Sequence, residues 1–316
     1  VSLLEVAGLR VGVAHDPDLI LRDVGFHVDA GEIVGLVGES GSGKTMAALA
    51  VMGILPAGIE LRGGSVVLAG RQLALSDTHT IRRTAGEMTM IFQQPLAALN
   101  PTMRVGRQIA RVLRLNQGIP RRQAQEVAVE MLGHVGIPGA RRVARAYPHQ
   151  LSGGMAQRVM IAMALACRPR ILIADEPTTA LDVTIQAQIF DLIRALVAET
   201  GCGVLLITHD LGAVAEMCQR VTVLYGGQVM ETGATDAVFH HAVHPYTRFL
   251  LDAVREEPDP AVAEKGVDFT LGGCRFAHRC PRAFAACGRF PPLVEVAPGR
   301  HAACFLSDLG AEIASP

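Results

Sequence analysis

Residues 3–38 alternate aliphatic blocks with polar breaks: "LLEVAGLRVGV" and "ILRDVGFHVDAGEIVGLVG" are dense in Val, Ile and Leu and are cut by Gly and by an Asp-Pro pair. That pattern predicts β-strands joined by turns. Beyond Gly38 it changes to "KTMAALAVMGIL", a run of good helix formers that predicts a helix stopping at Pro56. From about 95 to 162 the texture is helical; in "AQEVAVEMLGHVGI", Ala124, Val127, Ala128, Met131 and Leu132 recur at helical spacing before Gly133. Short apolar runs return at "ILIAD" from 171, "VLLITHD" from 204 and "VTVLYGGQVME" from 221, the last a hairpin turning at Gly226-Gly227. Between the first two, Ile185, Ile189, Leu192, Ile193 and Leu196 mark one face of a helix ending near Gly201. Apolar strands alternating with helices predict an α/β fold whose parallel sheet is covered on both faces. Past about residue 237, Pro245, Pro258, Pro260, Pro281, Pro291, Pro292 and Pro298 interrupt any long element, so this part reads as a separate C-terminal appendage.

Composition narrows the class. Half of the 316 residues are apolar, 19% are charged and the formal net charge is −1, which describes a globular chain and argues against a strongly basic nucleic-acid binder. The opening "VSLLEVAGLR" lacks the basic, apolar and small-residue order of an export signal. Apolar windows such as "VMIAMALAC" stop at Arg168, short of the ~20 residues that span a bilayer, so any membrane role is expected to be peripheral. Seven cysteines then point to reduced thiols or metal ligation in preference to a disulfide framework.

Two motifs carry chemistry. "GESGSGKT" (Gly38, Glu39, Ser40, Gly41, Ser42, Gly43, Lys44, Thr45) fits GxxxxGK[ST] between a predicted strand and a predicted helix. Its glycines let main-chain amides turn toward a polyphosphate, and the helix N-terminus adds positive dipole there. Lys44 would neutralise the terminal phosphates of ATP, and the Thr45 hydroxyl would ligate Mg²⁺. "ILIADEP" sets Asp175 and Glu176 at the end of an apolar strand, where parallel sheets open onto a ligand crevice. Asp175 is the metal-side acid in this reading, and Glu176 the base that faces the attacking water.

"LSGGMAQR", Leu151 to Arg158, resembles the signature of ATP-binding cassette ATPases, and with the two motifs above in order the chain is identified as resembling the nucleotide-binding subunit of an ABC transporter. The resemblance covers roughly residues 3 to 250. It implies a P-loop NTPase core of the ABC type with a parallel sheet, an antiparallel N-terminal β subdomain, an inserted helical subdomain and a small irregular cysteine-containing appendage. It also implies a Q-loop at Gln93, which joins Thr45 and Asp175 around Mg²⁺, and a switch histidine at His209. Ser152, Gly153, Gly154 and Gln157 of the signature, with Asp182 of the D-loop, are implied to reach ATP held by a second cassette. Closure on ATP would then be undone by hydrolysis, turning chemistry into motion. Two positions depart from the family pattern: "VGVAHDPDL" offers only His15 where many members stack adenine on an aromatic, and Gln94 stands where relatives usually have an acid.

"HPYTRFLL" and the tail after it resemble the branch that serves oligopeptide, dipeptide and nickel importers. The division expected is an ATPase domain at 1–237, with its helical subdomain at about 95–162, and a peptide-importer-type extension at 238–316. In that branch the matching tail carries a cysteine set, here Cys274, Cys280, Cys287 and Cys304 spaced Cx5Cx6Cx16C, and the resemblance implies a [4Fe-4S] cluster. Four thiolates suffice for such a cluster; zinc and unligated thiols are the alternatives. Cys167, Cys202 and Cys218 lie in or beside apolar elements and read as small hydrophobes.

The function implied is ATP-driven uptake of di- or oligopeptides, with import of nickel or another small solute by the same branch as the alternative. The partners implied are a second ABC ATPase subunit, a paralogue by preference, two integral membrane permease subunits and an extracytoplasmic solute-binding protein. The place implied is the cytoplasmic face of the plasma (inner) membrane. A cassette acting on nucleic acid or ribosomes is a further reading, against which the single cassette and the net charge of −1 both argue.

Overall fold

Buried and exposed positions alternate along β1 (Ser2–Val13), which pairs antiparallel with β4 (Ile59–Leu68) from Leu4 opposite Leu68 to Val13 opposite Ile59. With β2 (Leu19–Asp29) and β5 (Arg71–Gln72) they form a sheet of order β2-β1-β4-β5, the antiparallel β subdomain that was expected. β4 was not read from the sequence, because "IELRGGSVVL" holds two interior glycines and is half exposed along most of its length.

The computed structural model describes residues 2–75, 84, 86–178, 181–254 and 272–307. Pro258 and Pro260 therefore lie outside the described residues. The described chain divides into two compact units. One, here the helical unit, takes residues 29–32 and 84–205; the other, the sheet unit, takes 2–28, 33–75 and the described residues from 206 onward.

In the sheet unit, β3 (Ile33–Val37) is buried along its whole length and runs parallel to β9 (Arg220–Tyr225). β9 turns back into β10 (Gln228–Ala234) as an antiparallel hairpin, so the sheet is mixed. The proline-rich tail adds two strands that the sequence pattern did not reveal. β12 (Arg300–Ala302) pairs with β10, setting Glu231 opposite Ala302, and β11 (Val294–Ala297) pairs with β12. Glu231, fully buried, is why the tail docks there: its carboxylate accepts from Arg300 Nη2 at 2.7 Å and from the Val243 and His244 amides. A buried charge needs that many donors.

The helical unit is built on β6 (Met88–Ile91) and β7 (Ile171–Asp175), paired in parallel and buried throughout. Its longer helices are Val105–Gln117, Arg121–His134, Gly153–Ala166 and Val183–Thr200. Ala124, Ala128 and Leu132 are buried as their spacing predicts, while Val127 and Met131 are half-buried. In Val183–Thr200 the buried residues are Ile189, Phe190 and Ile193; Ile185, Leu192 and Leu196 stay half-buried. β8 (Gly203–Thr208) begins in this unit, with the Gly203 amide on the Arg170 carbonyl and the Val204 amide on the Glu32 carbonyl.

Helix Lys44–Met52 stops short of the predicted Pro56, because Gly53 takes a left-handed backbone (φ 68°) and turns its amide onto the Ala50 and Leu49 carbonyls. The β9-β10 turn makes a similar demand. Gly226 and Gly227 both have positive φ, and a Cβ on Gly227 would lie 1.7 Å from the Ile20 carbonyl oxygen. Gly227 also accepts from the Arg22 amide and donates to the Ser42 carbonyl, both at 2.8 Å. Gly227→Ala is therefore expected to lower stability by at least ~3 kcal/mol, read as a shift in the urea unfolding midpoint. An unshifted midpoint would show that the turn tolerates a side chain.

Candidate functional site

Within the sheet unit, β3 delivers the chain into the glycine-rich loop. Gly38 has φ 151°, and a Cβ there would stand 2.0 Å from the Leu224 carbonyl oxygen and 2.8 Å from Ser42 Oγ. Only glycine lets the loop press against β9 in this way. The loop ends at Gly43 (φ 101°), the N-cap of helix Lys44–Met52, and no side chain caps that helix. Its first-turn amides thus present positive dipole to an anion. Lys44 is 7% exposed, with Nζ donating to the Gly38 carbonyl at 2.7 Å and the Glu39 carbonyl at 3.0 Å. Ser42 is buried, whereas Ser40, Gly41 and Thr45 are exposed. His209, just beyond β8, is also exposed; the Asp210 amide donates to Thr208 Oγ1 and the Asp210 carboxylate caps helix Leu211–Met217 at Ala213, which fixes the strand end.

Within the helical unit, Asp175 closes β7 and is 1% exposed. Glu176 follows with φ 47°, a left-handed backbone uncommon for a glutamate and costly unless the surroundings enforce it. Gln93 meets it: Nε2 donates to Glu176 Oε2 at 2.9 Å. The structure thus brings together the amide and the carboxylate that sequence reading had assigned to one reaction centre.

Ser152 caps helix Gly153–Ala166 by accepting from the Met155 amide at 3.3 Å, and Asp182 caps Val183–Thr200 through the Ile185 amide at 3.0 Å. Ser152, Gly154 and Asp182 line one open cleft of about 290 Å³, together with Arg158 and Ile185. Gln157 stands elsewhere. It is 2% exposed and its Nε2 donates to the Pro177 carbonyl at 2.9 Å, so it ties the signature helix to the turn after Glu176 and is not presented beside Ser152 and Gly153. A glutamine one turn into an apolar helix is the signal by which this buried bond could have been found.

In the tail, Cys274, Cys280, Cys287 and Cys304 line one pocket with His244, Phe276 and Pro291 among its walls. Burial pushes the Cys274 thiol up to about 12, and the neighbouring thiols push the same way. Burial likewise raises Cys280 and Cys304. Ionising thiols buried in this way calls for a compensating cation. Among the described residues, no group of three or more His, Cys, Asp or Glu side chains is placed to hold a metal ion. Cys202 and Cys218 are buried and Cys167 half-buried, as expected of small hydrophobes.

His244 is buried, its Nδ1 accepts from the Tyr246 amide at 3.0 Å, and burial holds its pKa down at about 3. It is a neutral structural group. Arg275, fully buried, was missed by sequence reading: its guanidinium donates to the carbonyls of Leu19 and Gly226, and its amide to Gln228 Oε1. An arginine flanked by Cys274 and Phe276 gave no periodic cue to such a partner.

Comparison with known proteins adds a family context. The ABC transporter family matches residues 21–179, and the oligopeptide/dipeptide transporter C-terminal region matches residues 230–287. The chain is 46% identical to the oligopeptide transport ATP-binding protein OppD of Salmonella typhimurium, over 96% of this chain and 93% of that protein. It is 43% identical to the oligopeptide transport ATP-binding protein AppD of Bacillus subtilis, over 98% and 99% respectively. Among solved structures, the ATP-binding cassette MJ0796 in a dimeric post-hydrolysis state with ADP and Pi is similar, with a TM-score of 0.66 and 26% identity over 73% of this chain and 98% of that one. The cbiO1 subunit of the Clostridium perfringens cbiONQ transporter has a TM-score of 0.64 and 25% identity over 76% and 91%.

Proposed function

The chain belongs to the ABC transporter ATPases and carries their oligopeptide/dipeptide transporter C-terminal region, and from that premise we propose that its ATP hydrolysis drives uptake of di- and oligopeptides through a membrane importer. The observation that carries the peptide reading is the joining of both family regions in one chain that aligns nearly end to end with oligopeptide transport subunits. Residues 1–237 serve as the ATPase domain and 238–316 as the extension. No described helix is long and apolar enough to cross a membrane. In this proposal the chain docks peripherally on two integral permease subunits at the cytoplasmic face. A second cassette, a paralogue by preference, and an extracytoplasmic binding protein complete the proposed assembly.

In this reading the amides from Gly38 to Thr45 and the Lys44 ammonium cradle the β- and γ-phosphates. Thr45, Asp175 and Gln93 hold Mg²⁺, which when bound spreads the phosphate charge. Glu176 accepts a proton as the water oxygen attacks the γ-phosphorus and ADP departs. The Gln93 amide on Glu176 supports this role, since it fixes the direction of the carboxylate that is to take the proton. His209 steadies the transferring phosphoryl group. The exposed Ser152 and Gly153, beside Asp182, offer a partner cassette's nucleotide a helix N-terminus.

The four tail cysteines hold a [4Fe-4S] cluster in the same proposal. Four thiolates are the usual complement of such a cluster, and these four, which line one pocket, would hold it. When bound, the cluster supplies a four-way crosslink to a segment poor in regular structure.

Glu176→Gln is expected to keep ATP binding while phosphate release falls roughly 10²- to 10⁴-fold, with the protein trapped as a closed dimer. Turnover near the parent rate would remove Glu176 as the base. Protein purified without oxygen is expected to be brown, with a broad absorption near ~400 nm from thiolate-bound iron. Colourless protein with stoichiometric zinc would overturn the cluster.

A further inference from the structure

Glu39, the second residue of the phosphate loop, is held by the C-terminal extension from two directions. Its amide donates to Tyr246 Oη at 2.8 Å. Its carboxylate receives both ends of the Arg279 guanidinium, Nη1 to Oε2 at 2.7 Å and Nη2 to Oε1 at 3.1 Å. This is the two-pronged geometry in which arginine binds a carboxylate most strongly and most specifically.

The arginine is not a mobile surface partner. Its side chain is 5% exposed, against 31% for Glu39. The guanidinium carbon lies 5.0 Å from the Phe249 ring centre and 5.7 Å from those of Tyr225 and Phe276. Tyr225, Tyr246 and Phe276 pack on one another at centroid distances of 4.6 to 5.3 Å, so Arg279 and Tyr246 share one aromatic platform. That platform reaches the strand that supports the loop, because Tyr225 follows Leu224, whose carbonyl abuts Gly38.

The charge at this position matters to a loop built to receive anions. A bare carboxylate there would repel a triphosphate, and in a partly buried setting the repulsion is poorly screened. We propose that Arg279 is a positioning residue for nucleotide binding: by neutralising the Glu39 carboxylate and fixing its direction, it sets the affinity of the phosphate loop for ATP. The proposal rests on the reading of residues 38–45 as the triphosphate site.

The test is Mg-ATP binding to the purified full-length chain, measured by titration calorimetry, with steady-state kinetics alongside. Arg279→Ala should weaken binding roughly tenfold and raise KM more than it lowers kcat. Adding Glu39→Gln to Arg279→Ala should bring the affinity back to within about threefold of the parent, since a neutral side chain needs no counter-charge. A purely structural role for the arginine would not be rescued in that way. Arg279→Lys, which keeps the charge and loses the fork, should weaken binding about threefold, and it serves if the alanine variant fails to fold. Parent-like affinity in Arg279→Ala or, failing that, in Arg279→Lys overturns the inference. So does a double variant as weak as the single one. A parent chain that binds no Mg-ATP overturns the triphosphate reading itself, and this inference with it.

Discussion

Gly38 lies so near the Leu224 carbonyl that a Cβ would sit 2.0 Å away, and much of the sheet unit is arranged around that contact. A loop that presents main-chain amides to an anion cannot also satisfy them internally, so its shape has to be imposed by neighbours. β3 and β9 run parallel and bring Leu224 beneath the loop; the β9-β10 turn then donates the Gly227 amide to Ser42 from the other side. Lys44 bonds the loop's own carbonyls, which keeps its charge at the loop.

The helical unit solves a different problem, that of holding a carboxylate in a costly backbone. Glu176 stands at φ 47°, with the Gln93 amide on its carboxylate and the Gln157 amide on the next carbonyl, Pro177. Gln157 belongs to the helix that Ser152 caps. The signature helix and the acidic turn are therefore joined by a buried bond, and a shift of one is felt by the other.

The C-terminal extension is more than a passenger on this architecture. β12 adds to β10, Glu231 gathers donors from β12 and from the histidine-bearing turn, and Arg275 fills the space beneath β2 and the hairpin. These contacts exchange apolar mass, which the tail lacks, for buried charge that is hydrogen-bonded. Such charge specifies one arrangement more sharply than it stabilises it.

Local features were legible in the sequence because each rests on neighbours in the chain. The phosphate loop, the acidic pair, the signature and the hairpin at Gly226-Gly227 depend on backbone turns and on strand or helix periods spanning a few residues. The same holds for the four cysteines as a set, though their spacing by itself left cluster, zinc and free thiols open. β4 escaped because interior glycines mask its alternation, and β11 and β12 because prolines surround them. What only the tertiary structure decided were the partners of charged side chains: Glu39 finds Arg279 at a separation of 240 residues, and Glu231 finds Arg300 across 69. An arginine between two cysteines carries no period and no turn signal, and its carboxylate is chosen only when strands distant in sequence are laid side by side.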